Sequence, residues 1–216
     1  MKAFNIEELR LAAKRRLPRA VFDFIDGGAE DEAALRGNRA AYERYRLLPK
    51  MMVDTSKVDT NHTVLGGPSK FPFAIAPTGA VGFGWPRGDV HIAQAAAAAG
   101  IPYTLSMSGT VTIETIAEQA PGRLWFQAYF LKQRDYTFGL IERARKAGYE
   151  ALIVTADVPV GGKRERDIRN DFGIPFNYTA RNVFDFACHP GWTLQQLASG
   201  LPQLENLRAL APEKGA

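Results

Sequence analysis

The chain has 216 residues, with 27 Lys and Arg against 23 Asp and Glu, a formal net charge of +4. Apolar residues make up 46% and charged residues 23%, the balance of a soluble globular domain with a sizeable core. This excludes a disordered tail, a collagen-like repeat and a disulfide-stapled mini-protein, and the small basic excess gives no clustered face for nucleic acid. Asn5 reads as the N-cap of a first helix, with Glu7 and Glu8 in its first turn. Pro18 suits the first position of a second helix, which Gly27-Gly28 ends. A third helix is expected over about Glu30 to Arg46, with a solvated charged face, and Pro49 stops it.

The pattern then changes. Phe71 to Ala76, Pro102 to Ser106, Leu124 to Phe130 and Ala151 to Val154 are short apolar runs, expected as strands buried on both faces. Helical segments lie between them at about Asp89 to Ala99, Ile113 to Gln119 and Asp135 to Ala147, the last capped by Gly148. The strand starts fall roughly 22 to 31 residues apart, the pitch of repeated βα units. Residues 161–216 contain Gly161-Gly162, a basic cluster, Pro175, Pro190, Pro202 and Pro212, and no clear fifth strand. A tail of that length without regular structure points to a functional loop or missing context. The chain therefore divides into a helical lead-in (1–50), strands one to four (71–160) and a long variable loop (161–216).

Each apolar run ends in neutral hydrogen-bonding residues. The first runs into Pro77-Thr78-Gly79, the second into Ser106 and Ser108, the third holds Gln127 and Tyr129, and the fourth leads to Thr155 and Asp157. In parallel α/β proteins ligands sit at the carboxyl ends of strands. Such a set suits a heterocycle with carbonyl and imide groups better than a metal, although any one position can merely cap the next helix. Gly79-Ala80-Val81-Gly82-Phe83-Gly84 has the order G-x-x-G-x-G, not a dinucleotide or Walker pattern, and reads as a strand-to-helix turn. Arg164 in Lys163-Arg164-Glu165-Arg166 can bind a carboxylate, or the run is a solvated face. His62, His91 and His189 show no ligand spacing, so no metal is expected. The single cysteine, Cys188, points to a reducing compartment; the charged N-terminus and the lack of a long apolar run give no export signal and no membrane span.

With these residues in hand, the chain resembles the FMN-dependent α-hydroxy acid oxidising family. The match runs through Leu17-Pro18, Gly28-Ala29-Glu30-Asp31, Ile75-Ala76-Pro77-Thr78-Gly79, Leu105-Ser106, Trp125-Phe126-Gln127-Ala128-Tyr129, Val154-Thr155-Ala156-Asp157 and Arg164-Glu165-Arg166-Asp167. His189-Pro190-Gly191-Trp192 and Leu201-Pro202-Gln203-Leu204 look most like its mandelate and lactate dehydrogenase branch. The resemblance implies an α/β fold of the TIM (β/α)8 barrel family, here the N-terminal helices, the first four βα units and the variable loop after strand four. It implies FMN as cofactor and oxidation of a 2-hydroxy monocarboxylic acid to the 2-oxo acid. The resemblance implies hydride transfer to the flavin, with a carbanion route as the competing description, and electrons passed on to a quinone-like or other acceptor.

Carried over residue by residue, the backbone at Pro77, Thr78 and Gly79 and the side chains of Ser106, Gln127 and Thr155 hold the flavin. Tyr129 hydrogen-bonds the substrate, Arg164 binds its carboxylate, and Asp157 orients the catalytic histidine. Phe24 stands where the family usually has a substrate-binding tyrosine and cannot make that hydrogen bond. Gly79 fits the dehydrogenase members, which pass electrons to a carrier and not efficiently to oxygen. The family's flavin-facing lysine, catalytic histidine, second carboxylate-binding arginine and phosphate site have no counterpart in these residues, so no turnover by the chain alone is expected.

The stretch from about Phe176 to Leu210 matches the loop that carries that branch's membrane-contacting segment. Phe184, Phe186, Trp192, Leu194, Leu197, Leu201, Leu204 and Leu207 recur there with few charges, which fits an interfacial segment and equally fits core packing. A cytoplasmic protein, peripheral on the inner membrane face, and a tetramer when complete are what the resemblance adds. Two alternatives stay open: a catalytically incompetent half-barrel, or another FMN barrel such as a flavin-dependent isopentenyl diphosphate isomerase.

Overall fold

The computed structural model describes residues 2–157, 160–174 and 176–210. In chain order these form helices α1 (Ile6–Arg16), α2 (Arg19–Asp26) and α3 (Ala33–Ala40), strands β1 (His62–Val64) and β2 (Gly67–Ser69), and helices α4 (Val81–Gly84) and α5 (Gly88–Ala99). Then come β3 (Tyr103–Ser106), α6 (Ile113–Gln119), β4 (Leu124–Tyr129), α7 (Arg134–Lys146), β5 (Ala151–Thr155), α8 (Glu165–Arg169), α9 (Ala180–Cys188) and α10 (Pro190–Ser199). The chain splits into two compact units. One joins Met1–Val58 to Val160–Leu201, and the other joins Asp59–Pro159 to Pro202–Ala216.

In the first unit, Asn5 caps α1 by accepting the Glu8 N–H at 2.8 Å, and Glu8 reaches back to the Phe4 N–H at 2.9 Å. Pro18 sits at the N-cap of α2 and not inside it. The expected helix over Glu30 to Arg46 is shorter, eight residues followed by a 3-10 turn at Ala41–Arg44. Glu30 and Glu32 adopt left-handed backbone; the Glu30 N–H donates to the Lys163 carbonyl at 2.8 Å, and the Glu32 carboxylate accepts the Gly28 N–H at 3.1 Å. The tail departs further from expectation. It is not irregular but largely helical through α8, α9 and α10. Thr179 caps α9, and Pro190 occupies the first turn of α10, where a missing N–H costs nothing.

In the second unit β3, β4 and β5 form a parallel sheet in that order, with Ser106 opposite Gln127 and Tyr129 opposite Thr155. The expected strand at Phe71–Ala76 is reduced to one bridge, Ile75 to Tyr103. Pro72, Pro77 and Pro102 lack the N–H groups that a longer ladder would need. β1 and β2 form a hairpin absent from the sequence reading. Leu65 and Gly66 both take positive φ, as a two-residue hairpin turn requires, but a leucine there hides the signal.

The core packs one face of this sheet on α5, α6 and α7. Leu105, Met107, Ile113, Ile116, Phe126 and Leu140 are all buried in it. The segment after Pro202 also belongs here. Asn206 is fully buried, accepts the Ile113 N–H at 3.2 Å and donates to the Val111 carbonyl at 3.0 Å. Its own carbonyl takes the Tyr136 hydroxyl at 2.5 Å. On β5 the pattern reverses: Leu152 and Val154 are exposed at 43% and 49%.

Candidate functional site

Within the second unit the polar strand ends converge. Ser106 donates its hydroxyl to Gln127 Oε1 at 2.9 Å, and the same oxygen takes the Met107 N–H at 3.3 Å. Those two donors fix which way the amide points. Its Nε2 therefore faces Thr155 and donates to the Thr155 hydroxyl oxygen at 2.9 Å. Ser106 Oγ in turn accepts the Ser108 N–H at 3.2 Å. Gln127 is 98% shielded and Ser106 nearly as buried, so this relay is rigid. An amide nitrogen carries two protons and a hydroxyl one. The relay uses one proton of Gln127 and none of Thr155, which leaves both residues a donor for a ligand's acceptor atoms.

The turn after Ile75 closes against the same strand end. A Cβ on Gly79 would lie 3.0 Å from Ser108 Cβ and 3.8 Å from Ser106 Oγ, so glycine admits the backbone next to the relay. Ala80, at φ +59°, donates to the Ser108 carbonyl at 2.9 Å, and Gly82 donates to Thr110 Oγ1 at 3.0 Å. Pro77 and Gly79 are half-buried and Thr78 is exposed. Tyr129, at the end of β4, and Asp157, two residues past β5, are exposed.

Sequence reasoning missed Asp89, which it named only as the start of a helical segment. It is fully buried, accepts Thr110's hydroxyl and N–H at 2.6 and 3.2 Å, and takes the Tyr103 hydroxyl at 3.4 Å. Burial pushes its carboxyl up from the ordinary value, against the pull of Thr110 and Tyr103. Burial likewise pushes the Tyr103 phenol up, so it stays a donor. Trp125 lies on the same face of β4 as Gln127. Its indole N–H is buried and meets no acceptor among the described residues, and the Arg123 guanidinium stands 5.9 Å from its ring.

The first unit holds the other candidates. Arg164 caps α8, donates to Asp167 at 2.6 Å and to the Phe24 carbonyl, and lies 5.4 Å over the Phe24 ring. Phe24 stacks on Phe172 at 4.4 Å, and the aromatic run continues through Phe176 and Phe186 to Trp192. Trp192 is thus buried and Phe186 half-buried, whereas Val183, Phe184, Leu194, Leu197 and Leu201 are more than half exposed. No helix among the described residues is long and apolar enough to cross a membrane.

Arg166 reaches Glu32 at 2.6 Å, Asp26 at 3.2 Å and Asp23 at 3.6 Å, and ties α8 to α2. Asp26 also receives Arg10 at 2.5 and 2.8 Å. The Arg10 hydrogen bonds hold the Asp26 carboxyl below its ordinary value, outweighing burial. A lowered folded value means that this stabilisation is full above about pH 4 and is lost as pH falls through it. Arg10→Met is therefore expected to move the acid-unfolding midpoint upward in pH, read by far-ultraviolet circular dichroism; an unmoved midpoint would contradict the assignment.

A parallel βα-repeat unit whose strand ends present neutral donors defines an α/β protein of the (β/α)8-barrel class, with no closed barrel among the described residues. Residues 13–213 match the FMN-dependent dehydrogenase family, and the chain belongs to it. It is 43% identical over 203 residues to (S)-mandelate dehydrogenase of Pseudomonas putida, covering 94% of this chain and 51% of that protein. To a putative L-lactate dehydrogenase of Mycobacterium tuberculosis it is 43% identical over 198 residues, covering 91% and 48%. The crystal structure of the monotopic membrane protein (S)-mandelate dehydrogenase superposes with a TM-score of 0.91 at 42% identity, over 96% of this chain and 55% of that one. The chain thus spans about half the length of the relatives it matches.

Proposed function

We propose that the chain carries the flavin-ring half of an FMN-dependent 2-hydroxy acid dehydrogenase of lactate or mandelate type. The observation that carries this reading is the Ser106–Gln127–Thr155 relay, which leaves two donors along strand ends whose Ser106 lies against the Gly79 turn. A pyrimidine-like ring edge with carbonyl oxygens fits that donor set, and a cation does not. FMN, when bound, supplies a two-electron acceptor that takes the α-hydrogen of the substrate as hydride. Pro77, Thr78 and Gly79 bound the ring through their backbone, and Ser106, Gln127 and Thr155 orient it. Tyr129 hydrogen-bonds the hydroxy acid. Arg164 is the carboxylate ligand, and to serve it exchanges Asp167 or the Phe24 carbonyl for the substrate. Asp157 orients the histidine that takes the hydroxyl proton, a histidine that His62, His91 and His189 do not match. The final electron acceptor would be a quinone-like or other carrier.

The test is a visible absorption spectrum of the full chain with FMN, followed by L-lactate and (S)-mandelate without oxygen. A protein-retained flavin band that neither acid bleaches is expected. Free flavin only would overturn the ring-binding reading, and bleaching would overturn the expectation that the chain alone turns over nothing.

A second reading concerns the surface. Val183 and Phe184 on α9 and Leu194, Leu197 and Leu201 on and after α10 form exposed apolar strips, with Asp185 the one formal charge between Asn182 and Leu201. Such strips favour shallow insertion into lipid, which would place the protein peripherally on the inner membrane face. Co-sedimentation with anionic vesicles is expected, abolished in the Phe184→Asp/Leu197→Asp double variant. A soluble fraction unchanged by lipid would end this reading.

A further inference from the structure

We propose that Asp89 is a positioning residue for the turn that offers Pro77, Thr78 and Gly79 to the flavin: it orients the Thr110 hydroxyl, whose oxygen holds the Gly82 N–H. The purpose of this arrangement rests on the ring-binding reading above. A hydroxyl has one proton and two lone pairs. Thr110 commits its proton to Asp89 Oδ2 at 2.6 Å, while its backbone N–H reaches the same oxygen at 3.2 Å. That two-point hold leaves a lone pair facing Gly82, 3.0 Å away. The approach is tight, since a Cβ on Gly82 would lie 2.4 Å from Thr110 Oγ1. The same loop holds the Ala80 N–H through the Ser108 carbonyl at 2.9 Å. A left-handed alanine is strained and persists only where its surroundings impose it. Both ties fix the turn whose first residues face the ligand.

Space-filling does not explain a carboxylate here. Asp89 is fully buried, and burial opposes its charged form in spite of its donors. A folded value raised above the unfolded one means that ionisation weighs against the fold as pH rises past about 4. A neutral amide of the same shape removes that cost, which offsets the acceptor that the Thr110 N–H loses where an NH2 takes the place of Oδ2. What the amide gives up is orientation: its NH2 can donate to the very Thr110 oxygen that Gly82 uses.

The test compares the full chain with Asp89→Asn, Thr110→Val and Thr110→Ser. Backbone hydrogen exchange is read without flavin, alongside the thermal midpoint and equilibrium dialysis with riboflavin. Asp89→Asn and Thr110→Val should speed exchange at Gly82 about tenfold and weaken riboflavin binding about as much, the scale of one lost hydrogen bond. Sheet amides of β4 and the midpoint of Asp89→Asn should hold, and Thr110→Ser should behave as the parent. Unchanged exchange at Gly82 in Asp89→Asn overturns the proposal, and so does equal acceleration throughout the sheet, which marks a merely structural role. A parent that binds no riboflavin while Gly82 still responds to Asp89→Asn overturns the ring-binding reading and supports the positioning of the turn. Should Asp89→Asn fail to fold, Thr110→Val against Thr110→Ser makes the same comparison.

Discussion

Replacing Gln127 by alanine is expected to lower the unfolding free energy of the sheet unit by about 3 kcal/mol and to weaken flavin binding about 100-fold. The stability term has two sources. The Ser106 hydroxyl and the Met107 N–H lose their shared acceptor in a buried place, and a buried donor without a partner costs about 1–3 kcal/mol. The truncated side chain also leaves a void on its own face of the sheet, between Ser106 and Thr155. The binding term follows from the proposed site, in which Gln127 would supply one donor to the ligand and, through its hydrogen bond to Thr155, orient the other. Urea unfolding and a flavin titration measure the two effects. Parent-like affinity in a folded Gln127→Ala protein would remove the relay from the site.

Asn206→Ala is expected to destabilise the same unit by about 3 kcal/mol, although position 206 is remote in sequence from the sheet. The side chain answers two backbone groups at the start of α6, the Ile113 N–H and the Val111 carbonyl. Alanine leaves both buried and unpaired, and neither can turn to water because the position is fully enclosed. Asn206→Asp keeps the acceptor for Ile113, at a helix N-terminus that favours negative charge, and loses the donor for Val111. An intermediate loss is expected for it. Hydrogen exchange of β3, β4 and β5 amides under rising urea reads the effect where it occurs. A loss below about 1 kcal/mol would mean that the segment is held elsewhere.

Strong periodicity and caps made much of the fold legible. The helix at Ile113–Gln119 and the strands carrying Leu124 and Ala151 stand within a residue or so of their expected bounds, although only the Leu124 strand is buried on both faces and β5 exposes Leu152 and Val154. The strand at Phe71–Ala76 fails because prolines set its ladder, which an apolar count does not weigh. The tail was misread for the converse reason. Its prolines looked like breakers, yet Pro190 opens a helix, and the pairing of Asn206 with Ile113 spans a separation that no local pattern reveals. At the site, the neutral strand ends were legible as a class. The direction of the Gln127 amide and the burial of Asp89 were not, since both depend on donors brought from other strands and turns.

Trp125 gives the molecule an internal gauge. An indole shut away from water, with no acceptor for its N–H, emits at shorter wavelength than one in solvent. It shares a face of β4 with Gln127, two residues away, and isoalloxazine absorbs in the range where such an indole emits. Entry of a flavin beside Gln127 would therefore quench Trp125 by energy transfer, and the difference between the parent and Trp125→Phe isolates its share from that of Trp85 and Trp192. Occupancy of the ring site can be followed in this way without any turnover.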